Sequence, residues 1–326
     1  MIHTDVIIVG GGPAGSACAR LLTQNRIKCL VIDRCQFPRV KPCAGWITPG
    51  VVKDLGLEPG EYPHSFTTYR AMTVCIRTFT VTLPNRQHAI RRDEFDHWLL
   101  NRSGAPVYEH TVKSIVQSGS GYVVDGQFAG QYLVGAGGTS CPVYRAVFAA
   151  DNPRDRGALV VSRVEEFAYP HAGDDCRLWF WKNLPGYAWY VAKAGGYVNV
   201  GIGAWAETLT SSGENLRTHW EELVERLDQA GLVRQHAYKP RGHCYYLRQR
   251  LQAVRKGNAF ITGDAAGMAT LDMGEGIGPA IRSGALAAAA IASGGEYSLR
   301  SIPRYSKWTM LGEAVTAIFG SNRTRT

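Results

Sequence analysis

The sequence of 326 residues lacks several features that would assign it to a class at once. Its eight cysteines include no Cys-x-x-Cys pair and no Cys/His spacing suited to zinc, which argues against the common zinc modules. The longest apolar stretch, about 279–293, contains Arg282 and is too short to span a bilayer. The N-terminus shows no basic region followed by an apolar run and a cleavage site, so we expect a cytoplasmic protein.

Acidic residues are also missing from the segment 229–263, in a chain whose formal net charge is +9. A solvated basic face would explain this segment, and so would a surface that attracts a phosphorylated substrate, a nicotinamide phosphate or an acidic lipid headgroup. We therefore leave peripheral membrane contact open. No nucleic-acid-binding module accompanies the charge, so no nucleic-acid partner is expected, and the oligomeric state is not predicted. The cations are Arg234, Lys239, Arg241, Arg248, Arg250, Arg255 and Lys256.

What the chain does contain is a complete dinucleotide-binding unit over residues 4–34. An apolar β-branched run predicts a buried parallel strand, a helix is expected from about Pro13, and a second strand over 28–32 leads into Asp33. Between the first strand and the helix the three glycines allow a tight turn, close approach of a pyrophosphate and close helix–sheet packing. Asp33 is placed to accept hydrogen bonds from the adenosine ribose, which favours FAD or NAD over NADP. The three glycines are Gly10, Gly12 and Gly15.

A second dinucleotide fingerprint is missing. The "GAGG" at 135–138 follows a predicted strand but has neither the third glycine nor a later strand that ends in an acid. We therefore expect no dedicated nicotinamide domain. The reductant would be NADPH or NADH that docks transiently, a protein electron donor, or the substrate itself.

The stretch 257–284 predicts a short strand, Gly263-Asp264, a loop and a helix that opens near Gly276. In this it resembles the FAD-dependent oxidoreductases with the p-hydroxybenzoate-hydroxylase fold. The resemblance implies that Asp264 binds the ribityl hydroxyls of FAD and that the helix dipole stabilises negative charge on the reduced ring. It also implies that the flavin edge is lined by Gly274, Gly276 and Ile277.

Two more stretches carry the same resemblance. "RRDEFDHWLL" (91–100) is similar to the family's Arg-x-x-Phe-Asp helix, which implies that Arg92 approaches the FAD ribose or pyrophosphate; a plain amphipathic helix is the alternative. Gly137 stands where this family usually has an aspartate tied to FAD and pyridine-nucleotide contacts, which weakens a hydroxylase interpretation. The remaining predicted cofactor contacts are Pro13, Ala14, Arg34, Val112 and Gly263.

"RVKPCAGWITPG" (39–50) resembles the Lys-x-Cys loop that passes over the flavin in the geranylgeranyl-reductase branch of this family. The resemblance implies cofactor contacts by Lys41, Cys43, Ala44 and Gly45. The small side chains at Ala44 and Gly45 would let the backbone approach the flavin ring. Three interpretations of Cys43 stay open: packing, flavin-face contact or gating, and a redox thiol whose pKa Lys41 lowers.

The branch also carries a Pro-x-x-Tyr-x-Trp-x-Phe-Pro signature on a strand that lines the substrate cavity. Tyr187-Ala188-Trp189 matches its core, but Pro185 is one residue too close and Val191-Ala192 replaces the Phe-Pro. Downstream, Asn199-Val200-Gly201 matches the Asn-Val-Gly of the partner strand. By this resemblance Tyr187, Trp189 and Cys43 are the candidate catalytic residues.

We expect an α/β fold with two domains. Residues 1–60, 88–150 and 250–326 would form an FAD-binding, Rossmann-like domain around a parallel central sheet. Residues 61–87 and 151–249 would form a mainly antiparallel substrate domain, with an amphipathic helix over 214–231.

The reaction that we expect is hydride transfer from flavin N5 to a C=C bond of an apolar, isoprenoid-like substrate held against Tyr187 and Trp189. Tyr187 or a water would supply the proton. One alternative is a flavin monooxygenase or halogenase of the same fold, although 187–192 lacks the Ile-Pro ending of the halogenase motif. The other is a non-catalytic FAD-binding sensor.

Overall fold

Sixteen strands and six α-helices lie within residues 1–57 and 60–306, the part of the chain that the computed structural model describes. The helices are α1 (Pro13–Gln24), α2 (Pro49–Asp54), α3 (Arg92–Arg102), α4 (Ala206–Ser211), α5 (Leu216–Gln229) and α6 (Ile277–Ser293). The strands are β1 (Ile2–Val9), β2 (Cys29–Asp33), β3 (Trp46–Ile47), β4 (Phe66–Ile76), β5 (Phe79–Ile90), β6 (Val107–Glu109), β7 (Ile115–Ser118), β8 (Gly121–Val124), β9 (Phe128–Gly135), β10 (Leu159–Ala168), β11 (Cys176–Phe180), β12 (Gly186–Lys193), β13 (Tyr197–Trp205), β14 (Arg241–Tyr246), β15 (Arg255–Lys256) and β16 (Ala259–Ile261).

The chain divides into two units, each built on one eight-stranded sheet. Among the described residues, the first unit comprises 1–39, 95–155 and 245–306, and the second comprises the rest. The sequence-based limits place 40–60 in the FAD-binding domain. The described part of that segment lies in the second unit instead, because β3 pairs with β5 of the second sheet. No described helix is long and apolar enough to cross a membrane.

The first unit contains the predicted parallel sheet. Strands β16, β9, β1, β2 and β6 are neighbours in that order and all run parallel, and β1 is fully buried from Val6 to Val9. Two helices cover this sheet and cross each other closely: a Cβ on Gly284 of α6 would lie 2.0 Å from the carbonyl oxygen of Ala14 in α1. Gly263, just beyond β16, lies next to Ala14 of α1 and Ala280 of α6, so the first turns of both helices lie at the same edge of the sheet.

The second unit contains the predicted mainly antiparallel sheet, in the order β14-β10-β13-β12-β11-β4-β5-β3. The pair β11–β4 is parallel. Strands β12 and β13 form the predicted hairpin, with Lys193 opposite Tyr197 and Gly195-Gly196 in the turn.

The predicted amphipathic helix is α5, and it covers one face of that hairpin. Trp220, Leu223 and Leu227 of α5 are buried in one cluster with alternate residues of β12 and β13, among them Tyr190 and Val200. Since side chains alternate along a strand, Tyr187 and Trp189 lie on the opposite face of the sheet.

Candidate cofactor and substrate sites

The carboxyl ends of the parallel strands in the first unit bring the predicted cofactor residues together. Gly10 follows β1, Asp33 ends β2, and Gly263-Asp264 lies just beyond β16. The Gly10 N–H donates to Ile32 O at 2.7 Å, and the Thr262 N–H donates to Gly135 O at 2.9 Å, so the loops are tied to neighbouring strands. In open α/β sheets this is the edge where ligands bind.

The three fingerprint glycines have distinct steric surroundings. Gly10 has φ +114°, and a Cβ there would lie 2.3 Å from Ala136 O. A Cβ on Gly15 would lie 1.9 Å from Gly10 O, so this glycine lets α1 approach the sheet. A Cβ on Gly12, in contrast, would meet only the Arg39 Nη2 atom, at 3.6 Å, among the described residues. The space above Gly12 is therefore open for a ligand.

The N-terminus of α1 presents donors to that space. Gly12 is the N-cap and no described side chain caps the helix, while Pro13 occupies the first turn. Uncapped N–H groups and the helix dipole favour a phosphate at this position. The Asp33 carboxylate accepts hydrogen bonds from the N–H groups of Gly11 at 2.8 Å and Cys35 at 3.0 Å. Its remaining lone pairs stay available for ribose hydroxyls.

Arg39 is a candidate that the sequence motifs did not single out. Its guanidinium lies beside Gly12, over the ring of Phe37 at 4.6 Å, and 3.8 Å from the fully buried carboxylate of Asp96. A cation at this position would add charge to the α1 N-terminus in holding a pyrophosphate. Its position before the Lys-x-Cys loop could have drawn attention to it, but no residue spacing indicates the contact.

The second motif brings another helix N-terminus to the same edge. A Cβ on Gly263 would lie 3.1 Å from the Cβ of Ala14 and 3.3 Å from that of Ala280, so Gly263 lies between α1 and α6. Gly276 is the N-cap of α6, and the neighbouring Glu275 Oε1 accepts a hydrogen bond from the Gly278 N–H of the first turn at 3.0 Å. The half-buried Asp264 carboxylate lies next to Gly276 and receives no hydrogen bond from the described residues.

These features fit an FAD molecule. The open space over Gly12, two helix N-termini and two carboxylates at one sheet edge match the phosphates and hydroxyl groups of the dinucleotide. The other predicted contacts have mixed positions. Arg34 is exposed, Val112 is buried in the apolar core of this unit, and Gly274 packs against the ring of Tyr245.

In the second unit, Trp189 lies flat on the sheet. A Cβ on Gly201, its partner on β13, would lie 2.2 Å from the Trp189 Cζ2 atom. The indole N–H donates to Asn199 Oδ1 at 2.9 Å, and the side chain is only 6 % exposed. Tyr187 is half-buried, and its ring centroid is 5.8 Å from those of both Trp189 and Phe180. The result is a rigid aromatic face, which we call the Trp189 face.

The predicted Lys-x-Cys loop also belongs to the second unit. Lys41 Nζ hydrogen-bonds His243 Nε2 at 2.7 Å, and the Gly45 N–H lies 3.3 Å from Cys43 Sγ. The carbonyl oxygen of Cys43 accepts a hydrogen bond from Asn199 Nδ2 at 2.9 Å. Ala44 is half-buried, and Gly45 has φ +72° with no room for a Cβ. Arg92 begins α3 and is 7 % exposed, and its cofactor role stays a prediction.

A buried ion pair lies beneath this loop. Lys193 is 1 % exposed, and its Nζ donates to Glu166 at 2.5 Å and to the carbonyl oxygen of Ile90 at 2.8 Å. Burial alone would raise the pKa of the Glu166 carboxyl, but Lys193, Asn199 and Arg91 hold it below its ordinary value. The Glu166 carboxyl is therefore ionised at neutral pH.

Three of the seven cations of the basic segment 229–263 bind backbone carbonyl groups. Arg248, Arg255 and Lys256 donate hydrogen bonds to backbone carbonyl oxygens within the first unit. These three cations stabilise loops of their own unit. Membrane contact through this segment stays a prediction.

Comparison with known proteins supports the same cofactor. Residues 3–64 match the family described as FAD binding domain. An uncharacterised protein of Methanosarcina barkeri is 30% identical over 302 residues, which cover 89% of this chain and 74% of that protein. Menaquinone reductase of Mycobacterium tuberculosis is 27% identical, with coverage of 87% and 75%. Digeranylgeranylglycerophospholipid reductase 2 of Methanosphaera stadtmanae is 26% identical, with coverage of 95% and 84%.

Solved structures share the fold. A geranylgeranyl bacteriochlorophyll reductase-like protein from Thermoplasma acidophilum matches with a TM-score of 0.78 at 18% identity, over 98% of this chain and 84% of that chain. A flavin-dependent brominase matches with a TM-score of 0.70, also at 18% identity, over 96% and 84%. At these identities the likeness shows the fold alone.

Fold, fingerprint and relatives together define an FAD-dependent oxidoreductase. Within that class, the chain belongs to the geranylgeranyl reductase family.

Proposed function

We propose that this protein reduces C=C bonds of an apolar, isoprenoid-like substrate, with FAD held by the first unit and the substrate by the Trp189 face of the second. The Trp189 face carries the proposal. Its buried indole is fixed flat on glycine with its N–H bonded to Asn199, and the half-buried ring of Tyr187 beside it is the more exposed part of the face. Such a surface suits an alkyl chain better than a polar substrate.

The cofactor residues have separate tasks in this proposal. The α1 N-terminus and Arg39 hold the pyrophosphate, Asp33 the ribose, and Asp264 the ribityl chain. FAD, when bound and reduced, supplies a hydride to the substrate. The protein orients the double bond and excludes water, and Tyr187 or a water delivers the proton, so the product gains two hydrogens.

Two relatives indicate the substrate class. One is named for menaquinone and one for digeranylgeranylglycerophospholipid. We infer an isoprenoid-like substrate for this chain from these names and from the Trp189 face. A transient NADPH or NADH is the reductant that we propose, since the sequence has one dinucleotide fingerprint.

The test begins with a visible spectrum of the purified protein, followed anaerobically on addition of NADPH or NADH. Flavin bands that bleach would support the cofactor and identify the donor. The reduced protein is then incubated separately with geranylgeranyl diphosphate, menaquinone and digeranylgeranylglycerophospholipid. A mass gain of two hydrogens in at least one is expected, with a lower rate in Trp189→Ala.

Three outcomes would contradict the proposal in different ways. No mass gain in any substrate refutes isoprenoid reduction. A product that forms only with oxygen, or with oxygen and a halide, supports a monooxygenase or a halogenase. Tight FAD that no reductant bleaches supports a sensor.

We also propose a cytoplasmic protein whose segment 229–263 contacts membranes peripherally. Cosedimentation with anionic and with neutral vesicles tests that contact. Equal recovery in the supernatant with both vesicles would contradict it.

A further inference from the structure

Asn199 lies at the centre of a polar cluster on an otherwise apolar sheet face. It is 1 % exposed, as is Lys193, and it pairs across the sheet with Glu166 on β10. Its neighbours on the same face include Val164 and Val191, which are buried and apolar. A buried amide beside a buried ion pair is unfavourable unless every polar atom is bonded.

The partners of Asn199 allow only one orientation of its amide. Nδ2 donates to Cys43 O at 2.9 Å and to Glu166 Oε2 at 3.1 Å, both of which only accept. Oδ1 accepts from Trp189 Nε1 at 2.9 Å, which only donates. A flipped amide would face two acceptors with its oxygen and a donor with its nitrogen.

Two of the groups that Asn199 contacts, the Trp189 indole and the loop 41–45, are also held from a second side. The Trp189 indole lies on Gly201, where a Cβ would clash at 2.2 Å. In the loop, Gly45 O accepts from the Ile90 N–H at 2.9 Å, and Lys193 donates to Ile90 O. A Cβ on Gly45 would lie 2.7 Å from Lys193 Nζ, so the loop packs directly against the ion pair.

We propose that Asn199 is a positioning residue that fixes the Trp189 indole and the loop 41–45 relative to each other. Only one consequence rests on the proposed function: an isoprenoid substrate should bind more weakly when Asn199 loses its contact with either Trp189 or the loop. Glu166 and Lys193 serve this arrangement because they set the orientation of the Asn199 amide.

Two variants separate the contacts. Asn199→Asp keeps the acceptor for Trp189 but removes both donors, so the loop should be released while the indole stays in place. Asn199→Leu removes all three bonds and should release both. The matched control is Asn152→Leu, since Asn152 is 3 % exposed and also makes three hydrogen bonds, all to the backbone of 252–253 in the first unit.

The readouts need no turnover. Hydrogen exchange of peptide 40–47 should become about tenfold faster in both Asn199 variants, the effect of one lost buried hydrogen bond. Peptide 66–76 in the same unit should keep its rate. The fluorescence of Trp189 is obtained by subtracting the spectrum of the same protein with Trp189→Phe. Its emission maximum should shift in Asn199→Leu and not in Asn199→Asp. Asn152→Leu should change neither.

Unchanged exchange of 40–47 in both Asn199 variants would overturn the proposal. Faster exchange of 66–76 to the same extent would also overturn it, because that result indicates general destabilisation. In the holoenzyme, the KM for geranylgeranyl diphosphate should rise about tenfold in Asn199→Leu, with a smaller change in kcat. An unchanged KM would contradict the positioning role. Absence of turnover in the wild type, with the expected exchange results, would refute the proposed function and leave the role of Asn199 standing.

Discussion

Replacing Gly201 by alanine tests the packing of Trp189 most directly, because β13 provides its own control. Gly201 and Gly203 lie two residues apart on the same face, opposite Trp189 and Tyr187 respectively. A Cβ on Gly201 would lie 2.2, 2.5 and 2.8 Å from three atoms of the Trp189 ring. A Cβ on Gly203 would have its nearest neighbours at 3.8 Å, which is ordinary contact. Neither glycine has a positive φ.

The two substitutions should have different effects on the free energy of unfolding. In Gly201→Ala the indole has to move, which costs about 1–3 kcal/mol for overpacking. Its bond to Asn199 is then lost, which costs about 1–3 kcal/mol more if the groups stay buried. Alanine restricts the unfolded chain more than glycine does, which stabilises both variants by about 0.4–1 kcal/mol. The net destabilisation is about 1–5.6 kcal/mol for Gly201→Ala, whereas Gly203→Ala should be neutral or slightly stabilising.

Urea unfolding followed by circular dichroism measures the difference, as a shift of the transition midpoint between the two variants. The same pair is then made in a Trp189→Ala background, where the clash is absent and Gly201→Ala should no longer destabilise. Equal midpoints for Gly201→Ala and Gly203→Ala would refute the packing described for Trp189. So would a Gly201→Ala penalty that persists without the indole.

Three further predictions concern the cofactor edge and the buried ion pair. Gly12→Ala should weaken FAD binding in a fluorescence titration while the melting temperature stays unchanged, whereas Gly15→Ala should lower the melting temperature because of its clash with Gly10 O. Arg39→Met should weaken FAD binding about tenfold and make it less sensitive to salt, with Arg300→Met, an exposed arginine of the same unit without a predicted cofactor contact, as the control. Lys193→Met should cost about 3–5 kcal/mol in urea unfolding at neutral pH, and adding Glu166→Gln should restore part of it. The pKa of Glu166 is lowered on folding, so its contribution is present above the unfolded pKa and is lost as pH falls through the folded pKa. In Lys193→Met the penalty should instead grow as pH rises and the carboxyl ionises. Equal penalties at pH 4 and pH 7 would contradict this.

Local patterns in the sequence predict the cofactor edge well. The strand, glycine turn, helix and acid of residues 4–34 form one contiguous unit, so periodicity and turn chemistry suffice to predict it. The start of α6 and the β12–β13 hairpin were predicted for the same reason, since glycines mark each boundary. The segment 40–60 was assigned to the FAD-binding domain because it directly follows that unit. Its pairing with β5 depends on a contact distant in sequence.

The contacts that sequence reasoning missed join residues that are distant in the sequence. Asn199 and Cys43 are 156 positions apart, and Lys193 and Glu166 are 27 apart on different strands. Period-two alternation indicates which residues share a face, but it does not identify partners across strands or show that a charged residue is buried. Arg39 is similar, since nothing in its neighbourhood in the sequence indicates its approach to Gly12.

The buried pair of Glu166 and Lys193 breaks the rule that a covered sheet face is apolar, and stability does not explain it. Apolar residues of similar volume would often stabilise a fold as well or better than a buried ion pair. Apolar residues would supply neither an acceptor for Asn199 Nδ2 nor a donor for Ile90 O. The bond from Asn199 Nδ2 to Glu166 orients the amide so that Oδ1 accepts from Trp189. The bond from Lys193 to Ile90 O holds the end of β5 against Gly45. The two charged residues therefore fix the positions of Trp189 and of the loop 41–45. These are the segments by which this chain resembles the reductase branch. Departures from local rules are expected at functional sites, and in the second unit this one coincides with the residues proposed to bind substrate.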